Sequence, residues 1–467
     1  MKAVTLLPPT VAGAGLLAAT AVLLPHDAVV AAVIPGTPGS EPRDFGLLAL
    51  AVVGCCVAFT VWPWVVLPTA IVGVLGTTAV LGDSSVRSIL GLHGFLLVAG
   101  AVSLVFRRLV LAKQERRVRT VVDLPMLLVV VLLAAAAVYG LILGNPPARV
   151  MISGYHFAVI PIYYFMATYT LTTTARIRSA GSLFVVMSAA LTLVTLASPG
   201  RHGGAWSLIA ALPLLVLSCR TEGWRRAGLV ALSALYLVDV VLASYRTTWV
   251  LAGAAVLVLL VGGTGAVRRA AAAMTTAAAL LLIGAIMLSE GVRNRSAEIT
   301  TALGQGAGYR LPEATVGIDA FLSNPVVGLG LGHSTPDVYL PGFKVTDVGP
   351  LYHVFYVMIL ANLGLVGLVL LLWPILRAAR EGLVERDGLP FAFTALICGF
   401  LVSVLFSGPA TGHWALGLLP ALVFLTRQPD GIVVPAPRIG ATNIVPNTTR
   451  NRAPGATPHP ATPVGAR

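Results

Sequence analysis

Apolar residues come in long runs of roughly 17–25 positions, parted by short stretches that collect arginine and lysine. Read as spanning helices, these runs fall near 4–24, 45–62, 64–81, 89–106, 123–143, 154–173, 180–198 and 204–219. The remainder fall near 227–244, 248–263, 270–288, 351–376, 390–407 and 412–426. The pair around Trp62-Pro63-Trp64 can be counted in more than one way. The predicted fold class is therefore all-α, a polytopic membrane bundle of about 12–14 transmembrane helices. Two segments break the pattern. Residues 289–350 form the one long loop between spans. From 428 onward the chain turns Pro-, Ala- and Thr-rich without apolar periodicity, which predicts a disordered tail over 428–467 behind a membrane domain over 1–427.

Composition agrees with this picture. Of 467 residues, 57% are hydrophobic and 10% charged, and mean hydropathy is +0.90. A soluble domain of this size would need far more polar surface. Met1-Lys2 and the apolar run after them read as an uncleaved first helix. Cys55, Cys56, Cys219 and Cys398 lie in or at the ends of apolar runs and read as small buried hydrophobes, with no disulfide framework and no metal spacing.

The net charge of +13 suggests nucleic acid only until the charges are placed. Arg107, Arg108, Lys113, Arg116, Arg117 and Arg119 make the strongest cluster, which predicts a cytoplasmic loop. Counting outward, Arg176/Arg178, Arg220/Arg225/Arg226, Arg268/Arg269 and Arg377/Arg380/Arg386 fall on the same side, as does the basic tail. Both termini are thus predicted cytoplasmic and the 289–350 loop extracytoplasmic. Asn447-Thr448-Thr449 is a chance sequon in a cytoplasmic tail.

Charges that break the bias are informative. Arg246, in Ser244-Tyr245-Arg246-Thr247-Thr248-Trp249, occupies a tight outer hairpin, where an arginine either has a partner and a function or snorkels to lipid phosphate. Asp239, seven residues earlier, sits about two turns down the same helical face and is a candidate partner. In the long loop, Gly308-Tyr309-Arg310-Leu311-Pro312-Glu313 opens a short helix to Ser323, with Pro312 in its first turn and Asn324-Pro325 ending it. Then comes Val326-Val327-Gly328-Leu329-Gly330-Leu331-Gly332-His333, whose alternate glycines let backbone approach a ligand or another helix closely. It is not a phosphate-binding loop, which needs a following lysine. His353 opens the next span, either as a base or as a hydrogen-bonded structural residue. His93, His156, His202, His333 and His413 have no better context, and no pair has metal spacing.

The order of these pieces resembles the O-antigen ligase/polymerase family. The matching parts are Tyr245-Arg246-Thr247-Thr248-Trp249, Arg310 with Asn324-Pro325-Val326-Val327-Gly328-Leu329-Gly330, and His353 with Leu363-Gly364-Leu365-Val366-Gly367, over about residues 230–376. Members usually carry Asn where Val354 stands and Glu where Asn362 stands, positions that help to orient the acceptor. The resemblance implies an integral-membrane, GT-C-like glycosyltransferase. Such an enzyme takes a glycan from an undecaprenyl diphosphate carrier and passes it to an acceptor hydroxyl on a glycolipid (ligase) or a glycan (polymerase).

For that chemistry the departing lipid diphosphate must be stabilised by a metal or by fixed cations. The outer loops hold no Asp-x-Asp pair, so no metal and no cofactor is expected. Arg246 and Arg310 are expected to clamp the diphosphate with planar, permanently charged contacts. His353 then takes or orients the acceptor proton, and Asp239, Tyr309, Asn324, Gly328 and Gly330 support the site. Arg149 and Arg201 are secondary phosphate candidates. A flippase or transporter of lipid-linked glycan would use the same arginines without covalent chemistry, but its spans are usually broken near the midplane. A peptidoglycan polymerase of the shape-and-division type shares the carrier, yet none of its motifs is present. A structural scaffold leaves the two arginines and the histidine unexplained.

Overall fold

The computed structural model describes residues 53–81, 86–111, 117–197, 205–242, 246–288, 290, 293–294, 310–340, 343–348, 352–407 and 412–427. The first expected span (4–24) and the expected tail (428–467) lie outside the described residues.

The described residues form an α-helical bundle. In chain order its helices are α1 (Val53–Val61), α2 (Val66–Leu81), α3 (Val86–Leu109), α4 (Asp123–Ile142), α5 (Pro147–Thr170), α6 (Thr174–Ala197) and α7 (Ala205–Ser218). They continue as α8 (Gly223–Leu242), α9 (Arg246–Gly262), α10 (Gly265–Leu288), α11 (Arg310–Ser323), α12 (Phe355–Gly382), α13 (Leu389–Ser403) and α14 (Ala415–Arg427). Among the described residues α4, α5, α6, α10 and α12 are long and apolar enough to cross a membrane, while α7, α9, α13 and α14 are shorter apolar helices. The chain is a multi-pass membrane protein.

The two spans expected at 45–62 and 64–81 meet at a sharp corner. The helices on either side of Trp62-Pro63 are bent by 117°. Proline lacks the N–H that would continue α1, and it opens a 3-10 turn over Pro63–Val65 instead. The guanidinium of Arg107, buried at the end of α3, donates to the carbonyls of Thr60 and Val61, the last acceptors of α1. Cations favour a helix C-terminus for this reason.

Helices α5, α12, α13 and α14 form the buried centre. Tyr163, Tyr164, Phe157, Phe355 and Phe391 are all fully enclosed there. Close crossings rest on small residues, as in membrane bundles generally. At Gly417 on α14 a Cβ would lie 1.9 Å from the Ile160 carbonyl on α5, and at Gly399 on α13 it would lie 2.6 Å from the Leu251 carbonyl on α9.

The two ends of the bundle differ. One carries the expected basic loops, where Arg117 pairs with Asp123 at 2.6 Å, Arg220 with Asp387 at 2.6 Å and Arg377 with Glu381 at 2.7 Å. Arg117 also lies 4.7 Å over the Phe165 ring, holding the segment before α4 against the end of α5. The opposite end carries the described part of the 289–350 loop from Arg310 onward. The short helix expected there is α11. A feature the sequence reading lacked is a β-hairpin of β1 (Thr335–Leu340) and β2 (Phe343–Val348), antiparallel with Val338 opposite Val345 and Leu340 opposite Phe343. Its strands, TPDVYL and FKVTDV, are rich in β-forming residues.

Candidate functional site

His353 precedes α12, and Glu313 lies in the first turn of α11, where an acid is favoured by the helix dipole. The Glu313 side chain is 9% exposed. Its Oε2 lies 2.7 Å from His353 Nδ1, and its Oε1 accepts the His353 backbone N–H at 3.3 Å. One carboxylate thus holds both the ring and the main chain of the histidine. A carboxylate only accepts, so Nδ1 carries a hydrogen toward Glu313, and in the neutral form of the ring the lone pair belongs to Nε2. The imidazole is 43% exposed, enough for a substrate to reach it.

Contact between α11 and α12 depends on Gly317. A Cβ there would lie 2.3 Å from Val357 Cγ1 and 2.8 Å from the Tyr352 ring. Any side chain at 317 would push the helix, and Glu313 with it, away from His353.

The segment after α11 docks by its backbone. Helix α12 is broken at Gly364 (φ 62°, ψ −163°), a left-handed conformation suited to glycine. In a continuous helix the Leu365 N–H would bond the Ala361 carbonyl. Here Leu365 donates to the Pro325 carbonyl at 2.9 Å, and the Ala361 carbonyl accepts from Leu329 N–H at 2.9 Å. Val366 N–H goes to the Val326 carbonyl at 3.1 Å. The loop thereby supplies what the break removes, the condition for tolerating irregular backbone among spanning helices. Gly328 permits the fit, since a Cβ there would lie 2.6 Å from Asn362 backbone. Gly330 presses on Gly140 of α4 in the same way. Asn145 Nδ2 ties the Leu331 carbonyl at 3.0 Å, Asn324 Nδ2 reaches Tyr139 Oη at 3.3 Å, and Arg149 donates to Ser334.

Arg246 is the first residue of α9 and Arg310 the first of α11, one turn ahead of Glu313. Both main-chain positions fall at the His353 end. Trp249 Nε1, one turn into α9, donates to the Val240 carbonyl near the end of α8 at 3.2 Å, and Phe355 N–H meets the Val404 carbonyl at the end of α13 at 3.2 Å. Tyr309 and Arg201 lie outside the described residues. Asp239 is fully enclosed and accepts from Thr195 at 3.2 Å and from Ser207. It belongs to α8, which ends at Leu242, so it and Arg246 sit on separate helices rather than on one helical face. Asn362 is enclosed too, donating to the Met358 carbonyl at 2.9 Å and accepting from Ser153 at 3.3 Å. Beside Phe355, the ring of His413 stacks at 4.3 Å and faces His156 at 6.4 Å, while His93 bonds the hydroxyls of Tyr155 and Tyr163. His333 is half-buried, and burial lowers its pKa from the ordinary 6.5.

Sequence reasoning missed Glu313. The signal was an acid in the first turn of an expected helix, directly after Pro312.

Comparison with known proteins narrows the class of this helical membrane bundle. Residues 231–372, under a third of the chain, match the family model described as O-Antigen ligase, and this match supports an enzyme of membrane glycosyltransferase type. The matched stretch contains Arg246, Arg310, Glu313, His353 and the break at Gly364. No curated protein and no solved structure matches the chain.

Proposed function

We propose that the protein transfers a glycan from an undecaprenyl diphosphate carrier to an acceptor hydroxyl on the extracytoplasmic side of the membrane, either as a ligase or as a polysaccharide polymerase. The observation that carries the reading is the Glu313–His353 pair inside the matched domain. His353 Nε2 takes the proton of the acceptor hydroxyl as its oxygen attacks the anomeric carbon. The new glycosidic bond forms, the bond from that carbon to the phosphate oxygen breaks, and the lipid diphosphate departs with the electron pair. Arg246 and Arg310 bind that diphosphate and offset its growing charge. Glu313 is a positioning residue that acts through His353.

The test is a deletion strain complemented with wild type, Arg246→Ala, Arg310→Ala, His353→Ala or Glu313→Ala at matched protein levels. Surface glycan and the lipid-linked glycan pool are both quantified. The expected result is loss of one surface glycan with its precursor accumulating on the outer leaflet. Precursor trapped on the inner leaflet would make the chain a flippase, and full rescue by every variant would remove the site assignment.

A further inference from the structure

At the end of the bundle opposite His353, a groove of about 610 Å³ runs between α7, α8 and α10. Its lining is apolar and small, with Val230 and Ala234 from α8 facing Ala270 and Ala273 from α10. Two cations stand at its mouth, Arg226 near the start of α8 and Arg269 near the start of α10. The lining contains no acid, and neither helix carries one in its first turn. The α10 N-terminus therefore adds its partial positive charge to that of the guanidinium groups, whereas Glu222 stands directly before α8 and offsets that helix's contribution.

Scale and level fit one leaflet of a bilayer. From Arg226 to Leu237, and from Ala266 to Ala277, the lining follows each helix for roughly 16 Å at 1.5 Å per residue. That is about half of the ~30 Å hydrocarbon core. Trp224, 79% exposed and lying under Arg225 at 5.7 Å, marks the mouth as headgroup level, where tryptophan concentrates. Helix α10 exposes most of its surface, so lipid has access to the groove.

We propose that this groove binds an anionic phospholipid, with its phosphate between Arg226 and Arg269 and one acyl chain along the alanine face of α10. The site is separate from the transfer chemistry, and its test does not depend on activity. The full chain in detergent micelles is presented with phosphatidylglycerol and phosphatidylcholine of identical chains, and retained lipid is read by native mass spectrometry. Wild type is expected to favour phosphatidylglycerol about tenfold, a difference of ~1.4 kcal/mol. Arg226→Gln with Arg269→Gln brings the ratio close to one, and Ala234→Trp, which fills the groove, lowers retention of both lipids. An unchanged ratio in the glutamine variant or unchanged retention in the tryptophan variant would overturn the proposal. So would displacement by inorganic phosphate alone, which would make this a free-anion site. Displacement by undecaprenyl phosphate at lower concentration than phosphatidylglycerol would reassign it to the carrier lipid.

Discussion

The carboxylate of Glu313 grips His353 at two points, the ring nitrogen Nδ1 at 2.7 Å and the main-chain N–H at 3.3 Å. The two residues are far apart in sequence, and the pair exists only because α11 folds back onto the start of α12. If the histidine is the base, removing it is expected to reduce transfer about 10²–10⁴-fold. Glu313→Gln should cost less than Glu313→Ala, since an amide still accepts from Nδ1. In the doubly substituted chain the losses should fail to add, because Glu313 acts only through His353. Initial rates with purified donor and acceptor check this, and additive losses would separate the two residues.

Gly317 sets the distance between those helices. Gly317→Val places side-chain atoms where Val357 and Tyr352 already stand. The expected outcome is a large fall in transfer, with the protein still inserted in the membrane and donor binding less affected than turnover. Separate measurement of donor retention and rate distinguishes this from general misfolding.

Gly364 bears the break in α12. Gly364→Ala forces a Cβ to within 2.4 Å of the Val326 carbonyl at a positive φ. A loss of about 1–3 kcal/mol is expected, read as a lower thermal midpoint in detergent. Gly94→Ala, where nothing lies within 4 Å of the added carbon, is the control and should leave the midpoint unchanged or slightly raised.

Asp239 organises the contact of α6, α7 and α8 through Thr195 and Ser207. Asp239→Ala removes the buried acceptor of Ser207, while Thr195 keeps the Thr192 carbonyl at 2.9 Å, and should destabilise by about 1–3 kcal/mol. Asp239→Asn, which keeps an accepting oxygen, should retain most of the stability. Equal midpoints for the two variants would contradict this account.

The helices were legible in the sequence wherever a hydrophobic run met a cation or a helix breaker. The span expected at 123–143 is Asp123–Ile142, and that expected at 270–288 begins five residues earlier, at Gly265. The corner at Trp62-Pro63 was visible as an ambiguity in counting, because hydropathy records apolar length and not direction. Arg246, Arg310 and His353 could be picked out because charged and titratable groups are scarce on their side. Glu313 offered only its place in the first turn of an expected helix; its partner is 40 residues away, and no local rule links an acid to a distant imidazole. The alternate glycines promised close backbone approach without naming the neighbour. The neighbour proved to be α12 at Asn362 and Leu363, and α4 at Gly140. The hairpin was lost for a different reason, since two six-residue strands carry too little periodic signal inside a long loop.

The break at Gly364 also bears on the order in which the chain assembles. Until residues 325–329 arrive, the Ala361 carbonyl and the Leu365 and Val366 amides of the broken form have no partner, and hydrocarbon offers them none. A nascent α12 can therefore enter the bilayer as an unbroken rod and yield at Gly364 only as the loop settles on it. Once settled, the loop is stitched at its root. Residues 325–329 and the break in α12 therefore form or fail together, each supplying the backbone partners that the other lacks.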